Sequence, residues 1–440
     1  MFGLAASAIC GIVFGAFPAF LVTGRRGGHL LARASRTRAG ASSRSATRRV
    51  LIAIESALAL ILLAGCGLMA RTMVSLYSVD PGFRTDHLLT ARVVLSGEAW
   101  SNADRRIAFY DAVLNRVARV PGVTRAALTL SLPIEGSNWG SVFIARDKPV
   151  PPRAELPTSA FVPVSPGYFE TMGIRLRAGR DFDERDHSRG LHVVIINETL
   201  AGRLWPGEKP VGKFLKQGWP ETPEADAPWR QVVGVVNDVK LNGVDQDTPM
   251  QAFLPIAQEP SRSVAIVLRT ATEPAAIARV VEAAVHQVQP DLPVSRMQAM
   301  TQLMQSSVAR QRLSATILAV FSIVAIVLAA VGLYGVSSHS VTERTREIGV
   351  RMALGAERRQ VLRLFVRQGL TTALAGTVAG LGGALLLARW LETLLFGVTP
   401  TDPPTLAAVS LLLLAVAAAA CYIPARRAAR TDPLIALRTE

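Results

Sequence analysis

This 440-residue chain has little charge and little cysteine. Only 18% of its residues are charged while half are hydrophobic, which excludes a typical soluble enzyme and an intrinsically disordered chain alike. Its three cysteines, Cys10, Cys66 and Cys421, all fall inside apolar runs. No disulfide framework is available, and no thiol pair has metal-ligand spacing. Charge is scarcest in five long apolar runs near 2–22, 50–70, 314–336, 370–388 and 404–424, of which only the second holds an acid or base, Glu55. About 20 helical residues cross the roughly 30 Å of hydrocarbon in a bilayer. Each run is therefore a candidate span, and the chain reads as an integral membrane protein.

Acid is missing from particular places. Residues 25–49 hold eight Arg and no acid, 337–369 hold seven Arg against three Glu, and 425–440 hold four Arg against two acids. These segments account for nearly all of the formal charge of +15, and all flank spans on one common side. Basic residues stay in the cytoplasm during insertion, and a basic loop beside a bilayer is drawn to anionic lipid. The excess is thereby assigned to topology and the lipid bilayer, and no nucleic-acid partner is expected. The first run has no basic residue ahead of it, unlike a signal peptide. The chain then divides into a span at 1–24 that starts outside, a basic cytoplasmic loop at 25–49, a span at 50–70, an exterior domain at 71–313, a three-span region at 314–424 with a cytoplasmic loop at 337–369, and a cytoplasmic tail at 425–440.

The exterior segment mixes two periodicities. Ile107, Tyr110, Val113, Leu114 and Val117 recur at helical spacing from Asp104 to Val120, where Pro121-Gly122 stops the run. A second helix is predicted from Pro274 to Gln289 on Ile277, Val281, Ala284 and Val288. Short β-rich runs such as VVIIN (193–197) and QVVGVV (231–236) lie between them. This predicts an α+β domain of one or two subdomains, with any boundary near the Gly/Pro-rich stretch 205–230.

Several motifs there resemble chemistry without completing it. Gly207 to Lys213 has phosphate-loop spacing, but Phe214 stands where the magnesium-binding hydroxyl belongs and Pro210 removes an amide. The acidic run Asp181, Asp183, Glu184, Asp186 lacks the ligand and glycine pattern of a calcium loop, so a solvated turn is expected. His187 and His192 have no partner at metal-site spacing. Asn197-Glu198-Thr199 matches a glycosylation acceptor, yet the adjoining VVIIN favours a strand end. No catalytic residue, metal site or cofactor motif can be nominated.

In the fourth apolar run Thr372, Gly376, Gly380 and Ala384 form a stripe of small residues four apart, the spacing that lets membrane helices approach closely. Gly11 and Gly15 repeat it in the first run. Glu55 is placed to reach back toward Arg48-Arg49; a proton-relay role would need a buried partner. In the loop, Ser340 and Glu343 have capping-box spacing, Glu347 can pair with Arg351 on a following helix, and Gly355 is a C-cap candidate. The result would be a short amphipathic helix bearing Ile348 and Met352, then an Arg-studded helix from about Glu357. Such an element either lies on anionic lipid or docks a cytoplasmic protein.

The run GLYGVSSHSVTERTREIGVRMALGA (332–356) resembles the signature of FtsX/MacB-like permeases, the membrane subunits of a class of ABC transporters. VSPGYFETMGIRLRAGRDF (164–182), IINETLAGRLWPGEKPVGK (195–213) and VVGVVNDVK (232–240) resemble that family's periplasmic domain, and IPARRAARTDPLIALR (423–438) its C-terminal end. The resemblance implies a multi-pass protein of the bacterial inner membrane with its large α+β domain in the periplasm. It also implies a non-catalytic permease subunit, without cofactor, energised by a separate cytoplasmic ABC ATPase. The loop would be the coupling element, with Glu343, Arg346, Glu347, Ile348, Gly349, Arg351, Met352, Ala353, Leu354 and Gly355 as contacts. Movement of the periplasmic domain would serve efflux or export, together with a second permease copy or repeat and a periplasmic partner. A different reading is a membrane-anchored regulator or scaffold of an envelope protein such as a wall hydrolase, without transport. FPAFLVTGRRGGHLLA (17–32) repeats the offsets of the C-terminal end, so the first span is expected to be the remnant of a preceding repeat.

Overall fold

The computed structural model describes residues 38–136, 140–152, 155, 158–218, 227–343, 358–391 and 395–428. The expected first span, the rest of the basic segment before Arg38, the loop at 344–357 and the tail from 429 lie outside them. A long helix α1 (Arg38–Ser78) is followed by β1 (Leu88–Val94), α2 (Ala103–Val117), β2 (Val123–Thr129), β3 (Gly140–Ala145), β4 (Thr158–Val164), α3 (Tyr168–Met172), β5 (Leu176–Gly179) and β6 (Val193–Asn197). Then come α4 (Glu198–Leu204), β7 (Phe214–Gln217), β8 (Trp229–Val236), β9 (Gln251–Pro255), β10 (Ser263–Thr270), α5 (Pro274–Val288), β11 (Val294–Ala299), α6 (Met300–Ser307), α7 (Ala309–Glu343), α8 (Arg358–Leu391) and α9 (Pro403–Ala428). The chain divides into two compact units, one built on residues 69–316 and one on the apolar helices.

In the first unit β11, β1, β10 and β2 form an antiparallel sheet in that order. The chain order βαβ then βαβ, with α2 and α5 as the helices, gives it a ferredoxin-like topology. Strand periodicity sends alternate residues to opposite faces. Leu89, Val93, Leu128, Ile266 and Leu268 pack under Phe109, Tyr110, Val113 and Val117 of α2 and Ile277, Val281 and Val285 of α5. Their neighbours Leu88, Ala127, Ala265 and Val267 face the other way, into a core with Tyr168, Phe169 and Met172. The helix expected from Asp104 starts at Ala103, because the Asn102 side chain caps it by accepting from the Arg105 amide at 3.2 Å. It stops before Pro121-Gly122, where Gly122 sits at φ +93°, a conformation open to glycine.

The remaining strands close a ring. β4 pairs with β3, β3 with β7, β7 with β8, β8 with β6, β6 with β9, and β9 returns to β4 in parallel register, Ala160 opposite Gln251. Closure leaves these six strands without an open edge in the ring. Phe143, Val194, Ile196, Leu215, Val232 and Leu254 of its strands form one buried cluster with Leu200 of α4. The chain thus leaves the first sheet after β2 and returns through β10, so the crossing points lie near 131–140 and 256–263. The Gly/Pro-rich stretch 205–230 lies within the inserted lobe, since turn residues there only join α4 to β7 and β8. At the first crossing Glu135 binds Arg92 of β1 and, at 2.6 Å, Arg296 of β11, while the amides of Ile134 and Gly136 donate to Lys240 and Leu241 carbonyls.

In the second unit four helices among the described residues are long and apolar enough to cross a membrane: Arg48–Ser78, Ala309–Glu343, Leu362–Trp390 and Pro403–Arg427. α7, with 35 residues, is roughly 50 Å long against about 30 Å of hydrocarbon, so it extends into water. Two boundaries differ from expectation. α1 begins by Arg38, inside the expected 25–49 loop, because RAGASSRSATRR contains no proline to stop it and is rich in Ala and Arg, good helix formers. α7 runs through Ser340 to Glu343, so these residues end a helix and do not cap a new one; SSHSVTE offers neither Gly nor Pro. α9 is started by Asp402, whose carboxylate accepts from the Thr405 amide at 3.1 Å, with prolines in the first turn where no amide is needed.

Candidate functional site at the cytoplasmic end of the bundle

The small-residue stripe of α8 lies against α1. A Cβ on Gly376 would stand 2.6 Å from the Ala53 carbonyl oxygen, and one on Gly380 would stand 2.7 Å from that of Ala57. Either is closer than a real Cβ contact, so only glycine permits the approach. Ala384 is buried with Leu60, Leu63 and Ala64 of α1. Thr372, the fourth member, donates its hydroxyl to the Gln368 carbonyl at 3.3 Å and lines a small cavity nearer the cytoplasm. Other crossings use the same device: Gly67 of α1 takes Thr405 of α9, and Gly369 of α8 takes the Cys421 sulfur of α9.

Toward the cytoplasm Phe365 and Ala425 are buried together, with Val341, Leu362 and Val366 around them. This joins α7, α8 and α9 just below a basic rim of five exposed side chains, Arg359, Arg363, Arg367, Arg426 and Arg427, of which Arg427 donates to the Tyr334 hydroxyl at 3.1 Å. Of the ten expected coupling residues, Glu343 is described: it is exposed at the end of α7, 3.2 Å from His339 one turn back. Arg346, Glu347, Ile348, Gly349, Arg351, Met352, Ala353, Leu354 and Gly355 lie outside the described residues.

The periplasmic motifs have structural explanations. Lys213 of the phosphate-like GxxxxGK places its ammonium 2.8 Å from Asp147 and against Glu208, above the Trp205 ring. Its hydrogen bond, followed by that of the Trp205 indole, holds the Asp147 carboxyl below the usual carboxylate range. In the acidic run Arg180 grips the buried Asp186 with two bonds of 2.7 and 2.8 Å, and Arg185 binds Asp183 at 2.7 Å. Asn197 is fully buried: it accepts from the Leu200 amide to cap α4 and donates to Asp238 at 2.7 Å, which leaves no exposed acceptor for a sugar. Sequence reasoning missed Asp238, which also accepts from the Thr199 amide and hydroxyl; NDVK carries no spacing signal for a partner so distant in sequence.

A membrane-helix bundle packed through glycines, basic at its cytoplasmic rim and carrying a two-lobed α+β domain between its α1 and α7 helices, is the architecture of a polytopic permease. A family model for the FtsX-like permease C-terminal domain matches residues 319–433, and one for the MacB-like periplasmic core domain matches 56–284. The chain belongs to the FtsX/MacB-like family of ABC-transporter permeases and is a multi-pass inner-membrane protein with its α+β domain in the periplasm. It is 27% identical over 281 residues to the macrolide export ATP-binding/permease protein MacB of Azoarcus sp., an overlap of 60% of this chain and 40% of that one. It is 28% identical over 295 residues to the probable syringafactin export ATP-binding/permease protein SyfD of Pseudomonas syringae pv. tomato, covering 62% and 41%. The chain spans about two fifths of the length of these curated relatives. Among solved structures, the periplasmic region of MacB from Actinobacillus actinomycetemcomitans matches with a TM-score of 0.35 at 14% identity, covering 53% of this chain and 97% of that one.

Proposed function

We propose that this chain is the permease part of an export system in which a separate cytoplasmic ABC ATPase seats on the loop 337–369 and drives movement of the periplasmic domain. The observation that carries this reading is the bundle's cytoplasmic end, where α7 and α8 flank that loop and are packed with α9 around Phe365 and Ala425. A push on the loop would be delivered directly to two helices of a close-packed bundle. Glu343, Arg346, Glu347, Ile348, Gly349, Arg351, Met352, Ala353, Leu354 and Gly355 are the proposed contacts, with Ile348 and Met352 as the apolar strip and the charges setting orientation. Hydrolysis is assigned to the partner because the GxxxxGK of this chain is periplasmic and its lysine is held by carboxylates. The relatives' names denote export, which favours transport over regulation of an envelope enzyme; a second permease copy or repeat and a periplasmic partner complete the proposal.

Co-purification tests it. The wild-type protein is expected to bring down an ABC ATPase, and Glu347→Arg combined with Met352→Asp to abolish that association while the protein still inserts in the membrane. An ATPase bound equally well by the double variant would overturn coupling through this loop.

A further inference from the structure

Glu55 has no role in the reading above. It is the one acid or base within the five apolar runs, and it does not reach back to Arg48 or Arg49. Its carboxylate turns toward α7, where Oε2 lies 2.7 Å from the position a Cβ on Gly332 would take. The side chain fills the notch that glycine leaves. Among the described residues it makes no hydrogen bond or ion pair.

One turn nearer the cytoplasm lies a cavity of about 30 Å3, lined by Arg49 and Ile52 of α1, Ser337 and Ser340 of α7, and Gln368 and Thr372 of α8. Ile52 and Glu55 are three residues apart on one helix face, and Gly332 is four from Val336, another lining residue, so cavity and carboxylate share the α1–α7 seam. A cavity of this volume holds about two waters. Beside Glu55 the fully buried Ser56 hydroxyl has no hydrogen-bond partner among the described residues, and a buried polar group of this kind calls for one.

An unpaired carboxylate in hydrocarbon is unfavourable. A metal cation would need several further oxygens around it, whereas a proton needs none. The charged and titratable groups nearest this seam are committed elsewhere. Arg49 on α1 has a partner of its own, Tyr334 on α7 accepts from Arg427 of α9, and Cys421 on α9 pairs with Ser337 at 3.3 Å. α8 contributes the neutral Gln368 and Thr372 at this level.

We propose that Glu55 is a proton-binding site of the bundle, supplied from the cytoplasm through the cavity at Arg49, Ser337 and Gln368. A hydronium ion in the cavity gives its proton to the carboxylate oxygen, leaving a neutral acid and water. The neutral acid rests against Gly332 and keeps α1 on α7. Loss of the proton leaves an unpaired anion against Gly332, which loosens the seam. The inference rests on the bundle alone and stands or falls separately from ATPase docking.

The test uses inside-out membrane vesicles carrying the full chain. Dicyclohexylcarbodiimide, which is lipid-soluble and adds to protonated carboxyls, is followed by mass analysis of the peptide containing Glu55. Expected results are an adduct on Glu55 in the wild type, its loss as the bath is made alkaline, and no adduct from a water-soluble carbodiimide. The adduct is also expected to disappear in Glu55→Gln. Ser337→Leu or Gln368→Leu, which fill the cavity, are expected to keep the adduct but slow its response to bath pH. No adduct on the wild type at any pH, labelling indifferent to pH, or equal labelling by the water-soluble reagent overturns the site. A response as fast as wild type in both cavity-filling variants overturns the route.

Discussion

In the periplasmic domain four aromatic rings, Tyr168, Phe169, Phe182 and Phe253, meet in the core between the lobes, Phe169 and Phe253 edge to face at 5.1 Å. In the bundle helices approach closely where a side chain is missing, at Gly376 and Gly380 against α1 backbone. The contrast follows from the solvent on each side. Water drives bulky apolar groups together, so volume stabilises the domain. Lipid is as apolar as leucine and supplies no such drive, so helices gain most from backbone approach. Exposed Val320, Phe321, Val324 and Leu328 on α7 are ordinary in that setting.

The comparison can be broken from either side by denaturant unfolding of the full chain in detergent. The largest effect is expected for Phe253→Ala, a loss of about 3–5 kcal/mol from the domain transition, with the bundle transition unmoved. Gly380→Val adds volume where the domain would welcome it, yet here it should cost about 1–3 kcal/mol in the bundle. Stabilisation by this variant would refute close packing of α8 on α1. The smallest effect concerns acid. Burial, and then the charge of Arg230, hold the His192 imidazole below its usual range. The folded value lies below the unfolded one, so this contribution is whole above about pH 6.5 and is lost as pH falls through the folded value. The domain midpoint should decline modestly on acidification, and His192→Gln should flatten that slope.

Much of the architecture was legible from local pattern. The helices at 103–117 and 274–288 showed their 3.6 period, the spans their length, and the α8 stripe its four-residue spacing. What local pattern lacks is the identity of a distant partner. β4 and β9 read as two short apolar runs, and nothing in either announces that Ala160 stands opposite Gln251, so ring closure was invisible and the lobe crossing was misplaced at 205–230. Ser340 and Glu343 have the spacing of a cap, but a cap forms only if the preceding helix stops, and no Gly or Pro stops it. Likewise, Glu55 was expected to turn to the arginines behind it, because the notch at Gly332 belongs to another helix.

The insertion of one lobe inside the other has a consequence during biogenesis. β1 and α2 emerge on the periplasmic side well before β10 and α5, which complete their sheet: Leu89 finds its partner at Leu268 only after the whole ring has been delivered. Pairings this far apart in sequence form slowly, so for that interval Leu89, Val93, Phe109 and Val113 are bare to water. Such a nascent chain is expected to gain from a holding chaperone on the periplasmic side, and depletion of such chaperones should deplete this protein sooner than it depletes its simpler membrane neighbours.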